Sequence, residues 1–177
     1  MSDSTRKHKA EAPKKLAFAI FICSTSRYQQ LKKGEKVQDA SGDLVESLLK
    51  RGGHAVLFRK IIPDDKGLIE QSMRSVLGSN DVDAAVFCGG TGITSTDVTI
   101  ETVTPFFEKI LHGFGEIFRR LSYDEIGSSA VLSRAVAGVA KGKAVFCIPG
   151  SPNAVQLCLE KLILPETGHI VKHAREL

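Results

Sequence analysis

Ala84-Ala85-Val86-Phe87-Cys88 runs directly into Gly89-Gly90-Thr91-Gly92, and the fold class turns on that junction. A short apolar run without polar alternation, cut off by glycines, fits a strand buried on both faces. The same pattern recurs on either side. Residues 16–23 are continuously apolar and give way to Ser24-Thr25-Ser26, and residues 144–148 give way to Pro149-Gly150-Ser151-Pro152. Helical patterns lie between these strands. Residues 39–50 set Leu44, Val45, Leu48 and Leu49 on one face and stop at Gly52-Gly53, while residues 67–77 align Leu68, Ile69, Met73, Val76 and Leu77. Residues 54–62 supply a further strand.

Later segments continue the alternation. Helices are expected from Asp97 or Val98 toward Thr102, over residues 113–126, and over residues 152–163, where Ser151 would be the N-cap and Pro152 the first helical residue. Residues 128–141 fit two readings. Their apolar spacing suits a helix, whereas Gly138 and the Lys141-Gly142 turn suit a strand paired with the next one. Repeated βα units with doubly buried strands predict an α/β chain, a single-domain three-layer α/β/α structure. Its doubly wound sheet would be mostly parallel, with a short antiparallel element. In such sheets ligands bind outside the carboxyl ends of the strands.

At 177 residues the chain suffices for one domain with a real core. Its net charge of +4 is concentrated at the start, where residues 1–15 hold five basic against two acidic side chains. Residues 1–13 therefore read as a disordered basic leader and residues 14–177 as the folded domain. A near-neutral body argues against a nucleic-acid partner. No apolar run is long enough for a membrane span, and no signal peptide is apparent. The four cysteines lack C-x-x-C spacing, and three of them, Cys23, Cys88 and Cys147, end apolar runs as small buried hydrophobes. A reducing, cytoplasmic setting is expected.

If the three strands ending at residues 23, 88 and 148 are parallel, their loops share one rim. Backbone amides of Gly89–Gly92 and the helix N-termini beyond could then cradle an anionic phosphate. No P-loop motif occurs. Gly90-Thr91-Gly92-Ile93-Thr94-Ser95 falls short of the dinucleotide fingerprint, with Ser95 at the third glycine position and the third strand before it. No nucleophile elbow is present. Asp64, after the second strand, and Asp97, after the glycine loop, are oxygen ligands placed for Mg²⁺, although either could serve only as a helix cap. His169 and His173 have zinc-compatible i, i+4 spacing, but with no third ligand they read as solvated helix surface. His54 and His112 stand alone.

These motifs together resemble the MoaB/MogA-type molybdopterin-binding family. The resemblance covers residues 15–165. It rests on Asp39-Ala40-Ser41-Gly42, Gly53-His54, Pro63-Asp64-Asp65, the glycine loop with Asp97, Gly113-Phe114-Gly115-Glu116, Ser133-Arg134-Ala135-Val136-Ala137-Gly138 and Pro149-Gly150-Ser151-Pro152. Residues 113–138 are more similar to the MoaB branch. The resemblance implies a homotrimer or hexamer and a molybdopterin site floored by the glycine and Pro149–Pro152 loops. It further implies adenylylation of molybdopterin by Mg-ATP, with release of pyrophosphate, before molybdate or tungstate insertion by a downstream protein. Gly89, Gly90, Thr91 and Gly92 would hold phosphate, and Asp64 and Asp97 would hold Mg²⁺ or orient the reacting groups. Glu116, Pro149, Gly150 and Ser151 would contact pterin or phosphate, and Ser24 would line the mouth. The residue before Asp97 is Thr96, where the MogA branch often carries a cation. That departure leaves a non-catalytic molybdopterin carrier as the alternative.

Overall fold

A computed structural model describes residues 12–176. The leader expected over residues 1–13 falls outside them except for Ala12 and Pro13, which lie against Gly168. In chain order the elements are β1 (Ala17–Cys23), α1 (Thr25–Lys32), α2 (Ala40–Arg51), β2 (Ala55–Ile62), α3 (Lys66–Gly78), β3 (Ala84–Cys88), α4 (Thr99–Val103), β4 (Lys109–Ile110), α5 (His112–Ile126), β5 (Val136–Ala140), β6 (Lys143–Ile148), α6 (Pro152–Cys158) and α7 (Leu164–Arg175). Among the described residues the strands form one six-stranded sheet in the order β2-β1-β3-β6-β5-β4. β2, β1, β3 and β6 are parallel, and β5 runs antiparallel to both β6 and β4.

The side-chain alternation of a strand splits the core in two. Phe18, Ile20, Ile22, Val86, Phe146 and Ile148 face Val45 and Leu49 of α2, Phe118 of α5 and Val155 of α6. Ala19, Phe21, Phe87, Val145 and Cys147 face Ile69, Met73 and Val76 of α3 and Val103 of α4. The centre of the sheet is thus apolar on both sides, as the uninterrupted runs require. β2 is an edge strand and behaves differently. Its register skips a residue between Val56 and Phe58, so Leu57 bulges outward and is exposed. All four cysteines are free and buried, and burial pushes the Cys23 and Cys88 thiols up to about 12.

Residues 128–141, which fitted two readings, divide between them. Gly127–Leu132 is a 3₁₀ turn, and Val136–Ala140 is a strand. Lys141 and Gly142, both at positive φ, close a two-residue hairpin into β6. The last helix extends past the expected residue 163. A widened π-helical turn, Leu159–Ile163, joins α6 to α7. Pro165, near the start of α7, lacks an amide and crowds the carbonyl four residues back, which is the kind of strain a widened turn absorbs. Two elements had no sequence signal. α1 has no buried residue, and β4 is two exposed residues.

Phe21 and Phe87 stack in the α3 half of the core, with centroids 4.7 Å apart and planes at 13°. Phe87→Ala is expected to cost ~3–5 kcal/mol, as large aromatic truncations in a packed core do. Leu68→Ala, at a position 37% exposed, should cost far less. Urea denaturation of the two variants measures both.

Candidate active site

Three parallel strands end side by side at Cys23, Cys88 and Ile148. The chain continues each ladder one step before turning: the Ser24 amide donates to Ile62 O at 2.8 Å, and the Gly89 amide donates to Ile148 O at 2.9 Å. The loops that follow therefore leave the sheet from fixed points on one rim. Beyond them lies an open cavity of about 640 Å³, a size suited to a small organic ligand. The glycine loop forms one wall. Pro149, Gly150 and Ser151, with the start of α6, form a second. Phe118, Ser122, Glu125 and Ile126 of α5 form a third, and Leu132, Ser133 and Arg134 close the ring.

Gly89 and Gly90 both have positive φ, and a side chain at either would meet other parts of the rim. At Gly89 it would strike the Cys23 carbonyl, and at Gly90 it would strike Thr99 Oγ1 and Asp64 Oδ1. Glycine is thus required for the approach of three loops, not only for a turn. The loop's amides are not all available to a ligand, contrary to the sequence expectation. The Gly89 amide is held by Ile148 O, and the Asp97 carboxylate crowds Gly92. Among the described residues, the amides of Gly90 and Thr91 take no partner, and both residues line the cavity. Ser151 caps α6, accepting from the Ala154 amide at 3.4 Å. The N-terminal dipole of the helix that continues through α7 therefore points at the same space.

Asp97 lines the cavity and also organises its own loop. Its Oδ2 accepts from Thr94 Oγ1 at 2.6 Å and from the Thr94 amide at 2.9 Å. The Thr94 hydroxyl is the largest influence holding Asp97 below the ordinary carboxylate range. The Thr94 and Gly92 amides and the Arg134 guanidinium add to it, against partial burial. Asp97 is therefore both a cap and a cavity carboxylate.

Asp64 lies outside the cavity wall, across the glycine loop. Its Oδ2 accepts from the Thr25 amide at 3.0 Å and from Thr25 Oγ1 at 2.9 Å, while its own amide donates back to Thr25 Oγ1 at 3.0 Å. Oδ1 is buried with no hydrogen-bond partner, as is Thr99 Oγ1, and both flank Gly90. Ser24 also stands off the cavity, as the N-cap of α1. Glu116 is exposed on α5. It sits about 200° around the helix from Phe118, away from the face that lines the cavity.

Two contributors had no assigned role in the sequence. Arg134 is the cation of the cavity wall, paired with Glu101 of α4, and it supplies positive charge that Thr96 does not. The segment Asp39-Ala40-Ser41-Gly42 braces the rim. Asp39, 5% exposed, caps α2 through the Gly42 amide at 3.0 Å, with Arg27 and Arg59 at 3.9 and 3.8 Å. Ser41 Oγ donates to Gly150 O at 2.6 Å.

Comparison with known proteins is consistent along the chain. The family described as "Probable molybdopterin binding domain" matches residues 19–169. Molybdenum cofactor biosynthesis protein B of Bacillus cereus is 46% identical over 168 residues, covering 94% of this chain and 95% of that protein. A "Probable molybdopterin adenylyltransferase" of Methanocaldococcus jannaschii is 47% identical over 163 residues, covering 92% and 96%. The crystal structure of the tungsten cofactor synthesizing protein MoaB from Pyrococcus furiosus superposes with a TM-score of 0.82 at 42% identity, covering 93% of this chain and all of that one.

A depressed carboxylate contributes stability above its unfolded value, about 3.9 for aspartate, and loses it as pH falls toward the lower folded value. The difference in melting temperature between wild type and Asp97→Asn should therefore be level from about pH 8 to 5 and close progressively below about pH 4. Thermal melts across that range check the sign.

Proposed function

Since the chain belongs to the molybdopterin-binding domain family of molybdenum cofactor biosynthesis, we propose that it is a molybdopterin adenylyltransferase. It would transfer AMP from ATP to the terminal phosphate of molybdopterin. What supports this reading above all is one feature: a ligand-sized cavity walled by the glycine loop, a helix N-terminus and Arg134, in a chain 45–47% identical over nearly its whole length to proteins named as adenylyltransferases.

The reaction is nucleophilic displacement at phosphorus. A molybdopterin phosphate oxygen bonds to the ATP α-phosphorus, the bond from that phosphorus to the β-bridging oxygen breaks, and pyrophosphate leaves with the electron pair. Positioning and charge neutralisation carry most of such a step. Gly90 and Thr91 offer backbone donors, Ser151 and the start of α6 a positive dipole end, and Arg134 a full charge. Phe118, Ile126 and Leu132 give the apolar surface a pterin ring system needs.

Hard oxygens of the kind Mg²⁺ prefers flank the glycine loop, the ionised Asp97 on the cavity side and the buried, unpartnered Asp64 Oδ1 and Thr99 Oγ1 on the other. Asp97 would hold the ion at the cavity, where with substrate phosphates it would supply further neutralisation of phosphate charge. Self-assembly also fits, since Ile117, Tyr123 and Val131 leave exposed apolar side chains on α5 and the turn after it. Val131→Asp is expected to lower the sedimenting mass of a trimer or hexamer.

Purified protein incubated with molybdopterin and labelled ATP should release pyrophosphate only when Mg²⁺ is present. Asp97→Asn should abolish turnover while keeping most pterin affinity, and Arg134→Ala should slow it on the order of 10²-fold. Tight pterin binding without turnover would make the protein a carrier. No binding at micromolar concentration would overturn the reading.

A further inference from the structure

Far from the cavity, the last two turns of α7 bring His169 and His173 face to face. Their Nε2 atoms are 2.9 Å apart, with ring centroids 4.7 Å apart and planes at 61°. The outer nitrogens are both engaged: His169 Nδ1 lies 3.3 Å from Glu166 Oε2, and His173 Nδ1 lies 2.6 Å from Glu176 Oε2. A neutral imidazole carries one N–H. With each Nδ1 turned to its carboxylate, a proton between the two Nε2 atoms makes the 2.9 Å contact an N–H···N hydrogen bond, and a metal cation can take that proton's place.

Carboxylates on the outer nitrogens of paired histidines are also what orients the ring and raises ligand basicity in metal sites. Zinc–nitrogen bonds of 2.0–2.1 Å at a tetrahedral angle place the two nitrogens about 3.3 Å apart. A few tenths of an ångström of ring movement would reach that separation. Both histidines open onto a surface cleft of about 430 Å³, which Glu108 and Lys109 line from the sheet edge. Among the described residues no third histidine, cysteine or carboxylate completes a ready-made ligand set, and water from the cleft can fill the remaining positions.

We propose that His169 and His173, oriented by Glu166 and Glu176, chelate one borderline divalent transition-metal ion such as Zn²⁺ at the C-terminal end of α7. The ion clamps the final turns of the helix and exchanges with solvent. It is not part of the adenylyl-transfer site, and the inference stands whether or not that reading is right.

Tag-free full-length protein titrated calorimetrically with Zn²⁺ should take up one ion per chain at this locus with micromolar affinity, and its melting temperature should rise. His169→Gln and His173→Gln should each weaken that uptake at least tenfold and abolish the thermal shift. Glu176→Gln, which keeps both ligands, should weaken it severalfold. The metal-free melting temperatures report whether each variant is folded. Equal Zn²⁺ affinity in wild type and a His169→Gln/His173→Gln double variant, or no uptake by the wild type at millimolar Zn²⁺, would overturn the proposal.

Discussion

Parallel pairing of β1, β3 and β6 is the constraint from which the rest of the site follows. It sends three strands out of the core at the same rim, and the amides of Ser24 and Gly89 lengthen the ladder by one bond each before the chain turns. The positions of Ser24, Gly89 and Pro149 are thus fixed by sheet geometry. Only the glycine-dependent approach of the loops remains to be satisfied, and it is met at Gly89 and Gly90, where a side chain would have to occupy the place of Cys23, Thr99 or Asp64.

β1 connects outward to β2 on one side and, through β2 and α3, to β3 on the other. The switch in direction therefore falls between β1 and β3, where open α/β sheets tend to form their crevice. Asp64 and Thr25 sit on that side, while the large cavity opens on the other side of the glycine loop, over β3 and β6. The loop separates the Asp64–Thr25 cluster from the cavity.

Much of this was legible beforehand because apolar residues record it directly. The runs ending at Cys23, Cys88 and Ile148 named the central strands, and Val45 and Leu49 or Ile69, Met73 and Val76 named the packed helices. α1 went unseen because it buries nothing, so no periodic stripe exists. The cavity was harder to read. Asp97 and the Pro149–Ser151 loop follow from strand order alone, but which way Glu116 points depends on helical phase. The availability of the Gly92 amide depends on where the Asp97 carboxylate turns, and Arg134 reaches the wall from a segment whose backbone fitted two readings. Such facts belong to side-chain direction, which spacing does not encode.

The widened turn at Leu159–Ile163 has a geometric consequence for the C-terminal helix. Val155, Leu159, Ile163, Thr167 and Val171 are all fully buried at steps of four residues. In a uniform α-helix each such step overshoots a full revolution by about 40°, so a stripe of that spacing would wind off its support within a few turns. Accommodating one additional residue in the wide turn resets the phase. A single long rod can then stay seated on a flat bed from Pro152 to Arg175. Straightening residues 159–163 into regular α-helix with no residue removed would swing Thr167 and Val171 about 100° toward water, detaching the end of the rod while leaving its beginning in place.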